Sequence, residues 1–294
     1  MALAGRSLRL TFLGCGHIGG ALLGAILPSI PKTKSPISDI TIALNNKEAQ
    51  ARPQKSFRGR LEPSNILCEN NIEAIKNSDA VLFAFPPEKL QEVLAGDEIR
   101  KSLKHKHIIS ILARTTRAEI AEKINGQDGT VSSISDDLRI VRAMPTMGTE
   151  VHESATLIGK SSNPLEQEAL ELAMWIFSSV GKVFHVDHDY FETATGMSAF
   201  TNALITTAVQ AISQQAVAEG VPKEHAIAIT SQCIRGMASL MLSGKSPEHL
   251  QWSLSAPGSI TGQAISRLKD SQLSSILESS LSAAISRAKN TSSC

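Results

Sequence analysis

Hydrophobic and polar positions divide the sequence into two halves with different patterns. In the first half, short apolar runs of strand length alternate with stretches that are compatible with helices. The runs that predict strands are residues 8–13, 40–44, 80–85, 107–112, 139–143, 155–158 and 182–186. Strands separated by helical segments predict a parallel sheet with right-handed crossovers. We therefore expect an α/β fold in which residues 1–184 form a doubly wound domain.

From about residue 189 the pattern changes to Ala, Ser, Leu and Ile at helical spacing. Residues 191–219 can form one long helix, because no proline interrupts them. Gly220 is suited to end this helix, and Pro222 to begin the next. Pro247 and the turn at residues 256–258 then divide the rest of the chain into about three more helices. A long apolar helix needs a partner along most of its length, so we expect a homodimer or a higher homo-oligomer.

Composition is that of an ordinary globular protein. The 294 residues favour two domains, and 42% of them are hydrophobic. Lys and Arg number 29 against 28 Asp and Glu, so charge gives no reason to expect nucleic acid or an anionic membrane as a partner. The four cysteines form no C-x-x-C pair, and no apolar run is long enough to span a bilayer. A cytoplasmic location is the expectation.

A glycine-rich segment follows the first predicted strand and opens the first predicted helix. Its residues match G-x-G-x-x-G and are Gly14, Cys15, Gly16, His17, Ile18 and Gly19. The first glycine permits a tight turn, the second lets a pyrophosphate approach the backbone, and the third lets the helix pack on the strand. The start of a helix also supplies unpaired N–H groups for phosphates. The segment therefore predicts a dinucleotide-binding site.

The end of the second predicted strand distinguishes between the two nicotinamide cofactors. NAD enzymes usually carry an acidic residue there, which binds the ribose 2′-hydroxyl. In this chain Leu44 is followed by Asn45, Asn46 and Lys47. Two amides and a lysine can bind a 2′-phosphate, whereas a carboxylate would repel it. NADP is therefore favoured, and NAD remains an alternative.

Two other polar groups are candidate sites with weaker support. His185, Asp187 and His188 are of metal-ligand type, but they lie at the end of a predicted strand without a further cluster, so no metal is expected. Tyr190, the only tyrosine, is a candidate proton donor, with packing at an interface as the alternative.

Four segments together resemble the pyrroline-5-carboxylate reductase family. They are residues 10–20, residues 80–85 with Pro86 and Pro87, residues 141–145 (V-R-A-M-P), and residues 255–258 (S-A-P-G) with Thr261. The resemblance runs in order across nearly the whole chain. It implies a Rossmann domain joined to an all-helical domain, residues 185–294, that binds substrate and interlocks with a second subunit. The implied activity is NAD(P)H-dependent reduction of a small cyclic imine, 1-pyrroline-5-carboxylate, to proline.

The resemblance also implies roles for individual residues. Beyond the glycine segment and residues 45–47, the implied cofactor contacts are Ala84, Phe85, Pro86, Ala113, Met144 and Pro145. Thr261 would hydrogen-bond the imine nitrogen or a water beside it, and its alternative role is to cap a helix. The implied substrate pocket consists of Ser255, Ala256, Pro257, Gly258, Met147 and Phe200.

The departures from the family fall mostly on the substrate side. Where the family usually continues N-T-P after Pro145, this chain has T-M-G at residues 146–148. Ala256 replaces a serine whose hydroxyl helps to hold the carboxylate, Ser259 replaces a glycine, and Phe200 stands where the family keeps small residues. Loss of one hydrogen bond to a charged group costs about 1.5–3 kcal/mol. Two alternatives follow: a reductase of a different cyclic imine, and a non-catalytic dinucleotide-binding scaffold.

Overall fold

The structure is a computed structural model that describes residues 7–30, 35–45, 47–57, 59–62, 65–126, 138–161 and 163–290. Contacts divide the chain into two compact units. The first, here called the sheet unit, comprises Met1–Thr195 with Ala288–Cys294. The second, the helical unit, comprises Gly196–Arg287.

The sheet unit contains one sheet of eight strands. The strands are β1 (Leu8–Leu13), β2 (Ile37–Leu44), β3 (Ile66–Cys68), β4 (Ala80–Phe83), β5 (His107–Ser110), β6 (Arg139–Met144), β7 (Ser154–Gly159) and β8 (Gly181–Val186). Their spatial order is β3-β2-β1-β4-β5-β6-β7-β8. The first six strands are parallel and follow the 3-2-1-4-5-6 order of a Rossmann sheet. The fold class expected from the sequence is confirmed.

Two features of the sheet differ from the expectation. β7 runs antiparallel to β6, with Ala143 opposite Ile158, whereas the sequence pattern predicts an all-parallel sheet. Only residues 145–153 join these strands, and a parallel pair needs a crossover of about a dozen residues or more. The three-residue strand β3 was not predicted, because so short an apolar run carries no measurable periodicity. The domain boundary predicted after residue 184, a position inside β8, stays a prediction.

Helices cover both faces of the sheet, with a core on each side. The helices of the sheet unit are α1 (His17–Ile26), α2 (Lys47–Ser56), α3 (Asn71–Lys76), α4 (Leu90–Val93), α5 (Asp97–Leu103), α6 (Arg117–Asn125) and α7 (Gln167–Ser178). One core joins α1 and α7 to the sheet through residues such as Leu22 and Ile176. The other joins α5 and α6 to the opposite face, where Leu103 and Ile120 are fully buried.

The helical unit is built from five helices, the first of which begins in the sheet unit. They are α8 (Phe191–Ala218), α9 (Lys223–Leu242), α10 (Pro247–Leu254), α11 (Ile260–Asp270) and α12 (Leu273–Lys289). Gly220 ends α8 with a φ of 93°, and Pro222 is the N-cap of α9, as the sequence predicts. The break between α11 and α12 was not predicted, because it is made by Gln272, a non-glycine residue with a φ of 56°.

Most apolar side chains of the helical unit are exposed. Among its described apolar side chains, only Ala226 is buried, at 3% exposure. By contrast, Trp252 is 76% exposed and Ile260 is 90% exposed. A groove of about 710 Å³, here called the α8–α9 groove, is lined by Ile205, Thr206, Val209, Gln210, Ser213, Gln214, Val217, Lys223, Ile227 and Ser231. Despite these apolar surfaces, no helix among the described residues has the length and hydrophobicity that crossing a membrane requires.

Candidate active site

The glycine turn connects β1 to α1 and lies close to the segment that follows β4. Gly14 has a φ of 81°, and its N–H donates a 2.9 Å hydrogen bond to the carbonyl of Ala43. A Cβ on Gly14 would lie 2.8 Å from the carbonyl oxygen of Ala84, and a Cβ on Gly19 would lie 3.0 Å from the Ala84 Cβ. The packing of the sheet unit itself therefore requires glycine at position 14 and leaves little room for a side chain at position 19.

Gly16 differs from its two neighbours, because nothing in the described chain requires it. A Cβ there would meet only the Ala84 carbonyl oxygen, at an ordinary 3.9 Å. Gly16 is the N-cap of α1, which has no side-chain cap and no acidic residue in its first turn. The space above Gly16 and the backbone N–H groups of α1 thus fit an anionic group from outside the chain, such as a pyrophosphate.

The other predicted cofactor residues follow the ends of neighbouring parallel strands. Register pairs Leu13 with Phe83, Phe83 with Ser110, and Ser110 with Arg142. The residues that follow β1, β4, β5 and β6 therefore lie at one edge of the sheet. This set contains Gly14, Ala84, Phe85, Pro86, Ala113 and Pro145, and Met144 is the last residue of β6 beside them. The strand order reverses between β1 and β4, which is where α/β sheets bind ligands.

The residues that would distinguish NADP from NAD lie after β2. Asn45 is exposed there, and Lys47 begins α2. Asn46 and the side chain of Lys47 lie outside the described part of the chain. The 2′-phosphate contact of these residues therefore stays a prediction.

The predicted substrate turn connects α10 to α11 in the helical unit. Thr261 donates a 2.6 Å hydrogen bond from Oγ1 to the carbonyl of Leu254, and Ser255 donates one of 2.7 Å to the carbonyl of Gln251. Gly258 has a φ of 74°, which glycine adopts without strain. Ala256 and Pro257 are exposed between them. The structure brings these residues together in one exposed turn.

Ser259, which replaces a family glycine, has a structural role in the same turn. Its Oγ accepts a 2.9 Å hydrogen bond from the N–H of Gly262 and is thereby the N-cap of α11. It also lies 3.3 Å from Thr261 Oγ1. Capping was the alternative role for Thr261, and here Ser259 supplies the cap.

The two remaining pocket residues lie in different units. Met147 is in the sheet unit and is 65% exposed, at the start of a 3-10 turn formed by Met147–Val151. Phe200 is half-buried on α8, in the helical unit. Their contribution to one pocket stays a prediction.

Comparison with known proteins identifies relatives of both units. The family profile described as "Pyrroline-5-carboxylate reductase dimerisation" matches residues 188–291, and the one described as "NADP oxidoreductase coenzyme F420-dependent" matches residues 9–114. A pyrroline-5-carboxylate reductase of an Acremonium species is 25% identical over 95% of this chain and 91% of its own length. The chain is thus similar to pyrroline-5-carboxylate reductases over nearly its whole length.

Solved structures of pyrroline-5-carboxylate reductases share the fold of this chain. The Coxiella burnetii protein superposes with a TM-score of 0.78 at 23% identity, covering 98% of this chain and 100% of that one. The Plasmodium falciparum protein, whose structure has NADP bound, gives a TM-score of 0.77 at 20% identity, covering 97% and 98%. The fold that the resemblance implies is confirmed.

Two ion pairs in the sheet unit were not predicted from the sequence. His17 Nε2 lies 3.0 Å from Glu150 Oε1, which joins the start of α1 to the 3-10 turn at Met147–Val151. Arg142 Nη1 donates a 2.7 Å hydrogen bond to Glu192 Oε1, and its guanidinium lies 4.5 Å from the centre of the Phe191 ring. No sequence signal points to either pair, because the partners are far apart in the chain.

Tyr190 takes part in a surface network. Its Oη donates a 3.1 Å hydrogen bond to Asp187 Oδ2, and Lys160 Nζ lies 2.9 Å from Asp187 Oδ1. The hydrogen bond from Lys160, together with that from Tyr190, lowers the pKa of the Asp187 carboxyl. The network follows the end of β8, and β8 runs antiparallel to β6. It therefore lies at the edge of the sheet opposite to the residues that follow β1, β4, β5 and β6.

Proposed function

We propose that this protein reduces a cyclic imine with a hydride from NADPH, and that 1-pyrroline-5-carboxylate, reduced to proline, is its main substrate. The observation that carries the proposal is that family similarity extends over both units: one profile spans the glycine turn and the other spans the turn with Thr261. The relatives in Acremonium and Schizosaccharomyces pombe are named pyrroline-5-carboxylate reductase. The similar Plasmodium falciparum structure has NADP bound.

The cofactor would lie over the glycine turn, at the edge of the sheet where β1 and β4 end. The open space at Gly16 and the uncapped start of α1 suit its pyrophosphate. Asn45 and Lys47, in place of an acidic residue, favour the 2′-phosphate of NADP over the 2′-hydroxyl of NAD. When bound, NADPH supplies the hydride that adds to the carbon of the C=N bond.

Thr261 would orient the imine nitrogen by accepting a hydrogen bond. Its hydroxyl hydrogen is already donated to the Leu254 carbonyl, so the oxygen presents a lone pair to a ligand. That arrangement suits a protonated imine, whose N–H can donate. A protonated C=N bond is also the better hydride acceptor, because the incoming hydride neutralises its charge and the nitrogen keeps its proton in the product amine.

The turn at residues 255–258 offers backbone amides to the substrate carboxylate. None of the hydrogen bonds described for this turn uses the N–H of Ala256 or Gly258, so both remain available as donors. The hydroxyl of Ser255 is committed to the Gln251 carbonyl, and Ala256 has none. This reduced set of donors favours one second candidate function, the reduction of a bulkier or less anionic cyclic imine.

We also propose a homodimer or a higher homo-oligomer, with residues 185–294 as the dimerisation and substrate domain. The family profile over residues 188–291 and the exposed apolar surface of the helical unit support this. A cytoplasmic location is supported by the thiols of Cys68 and Cys233, which form no disulfide within the described chain and fit a reducing compartment.

Steady-state kinetics on two imines test the proposal. NADPH-dependent reduction of 1-pyrroline-5-carboxylate and of uncharged 1-pyrroline is measured for the unaltered protein, and NADH is compared under the same conditions. Thr261→Val should lower kcat by about 10- to 100-fold, the value of a lost hydrogen bond to a charged group. Thr261→Ser keeps the hydroxyl and is the matched control.

Ala256→Ser distinguishes the two candidate functions. If the carboxylated imine is the main substrate, the added hydroxyl should lower its KM by up to about 10-fold and leave 1-pyrroline unchanged. Faster turnover of 1-pyrroline than of 1-pyrroline-5-carboxylate would favour the second candidate. Tight NADPH binding without turnover of any imine would overturn both and indicate a non-catalytic dinucleotide-binding scaffold.

A further inference from the structure

The glycine turn carries a histidine that is held by a carboxylate from another segment. His17 is the first residue of α1, and its Nε2 lies 3.0 Å from Glu150 Oε1. Both side chains are about half exposed, at 46% and 50%. They line one cavity of about 410 Å³, together with Cys15 and Gly20 of the turn and helix. The carboxylate is therefore placed beside the backbone that fits a pyrophosphate.

Glu150 is held at this position by a tightly bonded turn. Thr149 is buried, and its Oγ1 donates a 2.7 Å hydrogen bond to the carbonyl of Thr146. The N–H of Thr146 in turn donates a 3.0 Å bond to Ser154 Oγ. A Cβ on Gly148 would lie 2.5 Å from the carbonyl oxygen of Glu153, so only glycine fits. Because the backbone is fixed on both sides of Glu150, its carboxylate stays close to α1.

The negative charge of Glu150 lies beside a helix start that is suited to bind a different anion. α1 has no acidic residue in its first turn, which leaves its positive end free for an anion. Glu150 brings a negative charge to that end from a segment far away in the sequence. The charge attracts the helix end and the imidazole, but it repels the phosphates of a dinucleotide.

We propose that His17 is a ligand of the cofactor pyrophosphate and that Glu150 competes for it. In the free protein His17 donates to Glu150, and on binding it exchanges this partner for a phosphate oxygen. Glu150 then sets the affinity for NADP(H) and speeds its release. The inference rests on the cofactor half of the proposed function and concerns binding alone.

Fluorescence titration with NADPH tests the exchange without any turnover. Glu150→Gln removes the negative charge, and Glu153→Gln, an exposed carboxylate three residues later, is the matched control for net charge. We expect Glu150→Gln to tighten NADPH binding by about 3- to 10-fold at low salt and by less at high salt, as partly screened charges do. Glu153→Gln should change Kd by less than about 2-fold.

His17→Ala removes the donor and completes a double-mutant cycle. Alone it should weaken NADPH binding by about 10-fold or more, the value of one hydrogen bond to an ionised phosphate. In the double variant, Glu150→Gln should then gain less affinity than it does in the unaltered protein, because its partner is gone. Equal effects of Glu150→Gln and Glu153→Gln, or full additivity in the cycle, would overturn the inference. If neither NADPH nor NADH binds the unaltered protein, the proposed function itself fails.

Discussion

The sheet unit and the helical unit differ in how far they bury their apolar side chains. The sheet unit buries its apolar side chains on both faces of one sheet, in two cores that close within the chain. In the described part of the helical unit only Ala226 is buried among apolar residues, while Trp252 and Ile260 are largely exposed. Isolated helices gain little stability from propensity alone. The sheet unit therefore completes its own core, whereas the helical unit needs another apolar surface, from outside the subunit, to cover its side chains.

The largest effect should come from a charge in the α8–α9 groove. Ile227→Glu places a carboxylate among Val209 and Val217, where burial by a second copy would cost several kcal/mol. We expect the mass from light scattering to fall to the 31.4 kDa of one chain, with loss of imine reduction and retention of NADPH binding.

A matched substitution on the sheet unit is the control for this charge. Leu165 is exposed to a similar degree, 43% against 42% for Ile227. Leu165→Glu should change neither mass nor activity, because that unit completes its core within the chain. If Ile227→Glu remains assembled and active, the dependence of the helical unit on a second copy is disproved.

Two glycine substitutions in the sheet unit separate an effect on packing from an effect on cofactor binding. Gly14→Ala forces an alanine to a φ of 81° and toward the Ala84 carbonyl, so urea unfolding should show a loss of about 1–3 kcal/mol. Gly16→Ala meets nothing closer than 3.9 Å and should leave stability unchanged within about 0.5 kcal/mol. It should instead weaken NADPH binding by about 10-fold or more, because the added methyl occupies space that the pyrophosphate needs beside the backbone. Equal stability losses would show that both glycines serve packing.

The smallest effect concerns the acid stability of the sheet unit. The hydrogen bond from Arg9 lowers the pKa of the Asp79 carboxyl below its usual value. A carboxyl with a lowered folded-state pKa contributes stability that is present above its unfolded pKa, about 4, and is lost as pH falls through the folded value. Because the pair is partly exposed, the contribution should stay below about 1 kcal/mol. Unfolding of Asp79→Asn below pH 4 should therefore differ less from that of the unaltered protein than at pH 7, and a constant difference would contradict the assignment.

Much of the fold could be predicted from local pattern. The strand β4 is a continuous apolar run, and β1, β5 and β6 are short segments rich in apolar residues. The turn at Gly14 shows the spacing that a close strand–helix approach requires. The reversal of β7 was predictable in principle from the nine-residue connection at residues 145–153. The alternation of strands and helices along the chain does not reveal it, because that pattern favours parallel strands.

The candidate site was less predictable, because its pairs join distant segments. Neither the His17–Glu150 pair nor the Arg142–Glu192 pair has a spacing or a motif. They exist only because the sheet brings the two segments together. The donor direction at Thr261 also depends on a carbonyl, that of Leu254, whose place is set by the turn and not by any side chain. The sequence identifies Thr261 as a candidate hydroxyl, but only the folded structure shows whether that hydroxyl is a hydrogen-bond donor or acceptor.

One hydroxyl in the α8–α9 groove has a consequence for which chains can pair. Ser213 is 6% exposed, and its Oγ has no hydrogen-bond partner within the described chain. A chain that packs on this groove with a carbonyl or an amide opposite Ser213 relieves that deficit, and one that offers only methyl groups seals it in at a cost of about 1–3 kcal/mol. Apolar surface makes helices adhere to almost any similar surface, whereas a lone buried hydroxyl discriminates among them. A second copy that places a carbonyl or an amide opposite Ser213 would therefore be favoured over a chain that lacks such a group at that position.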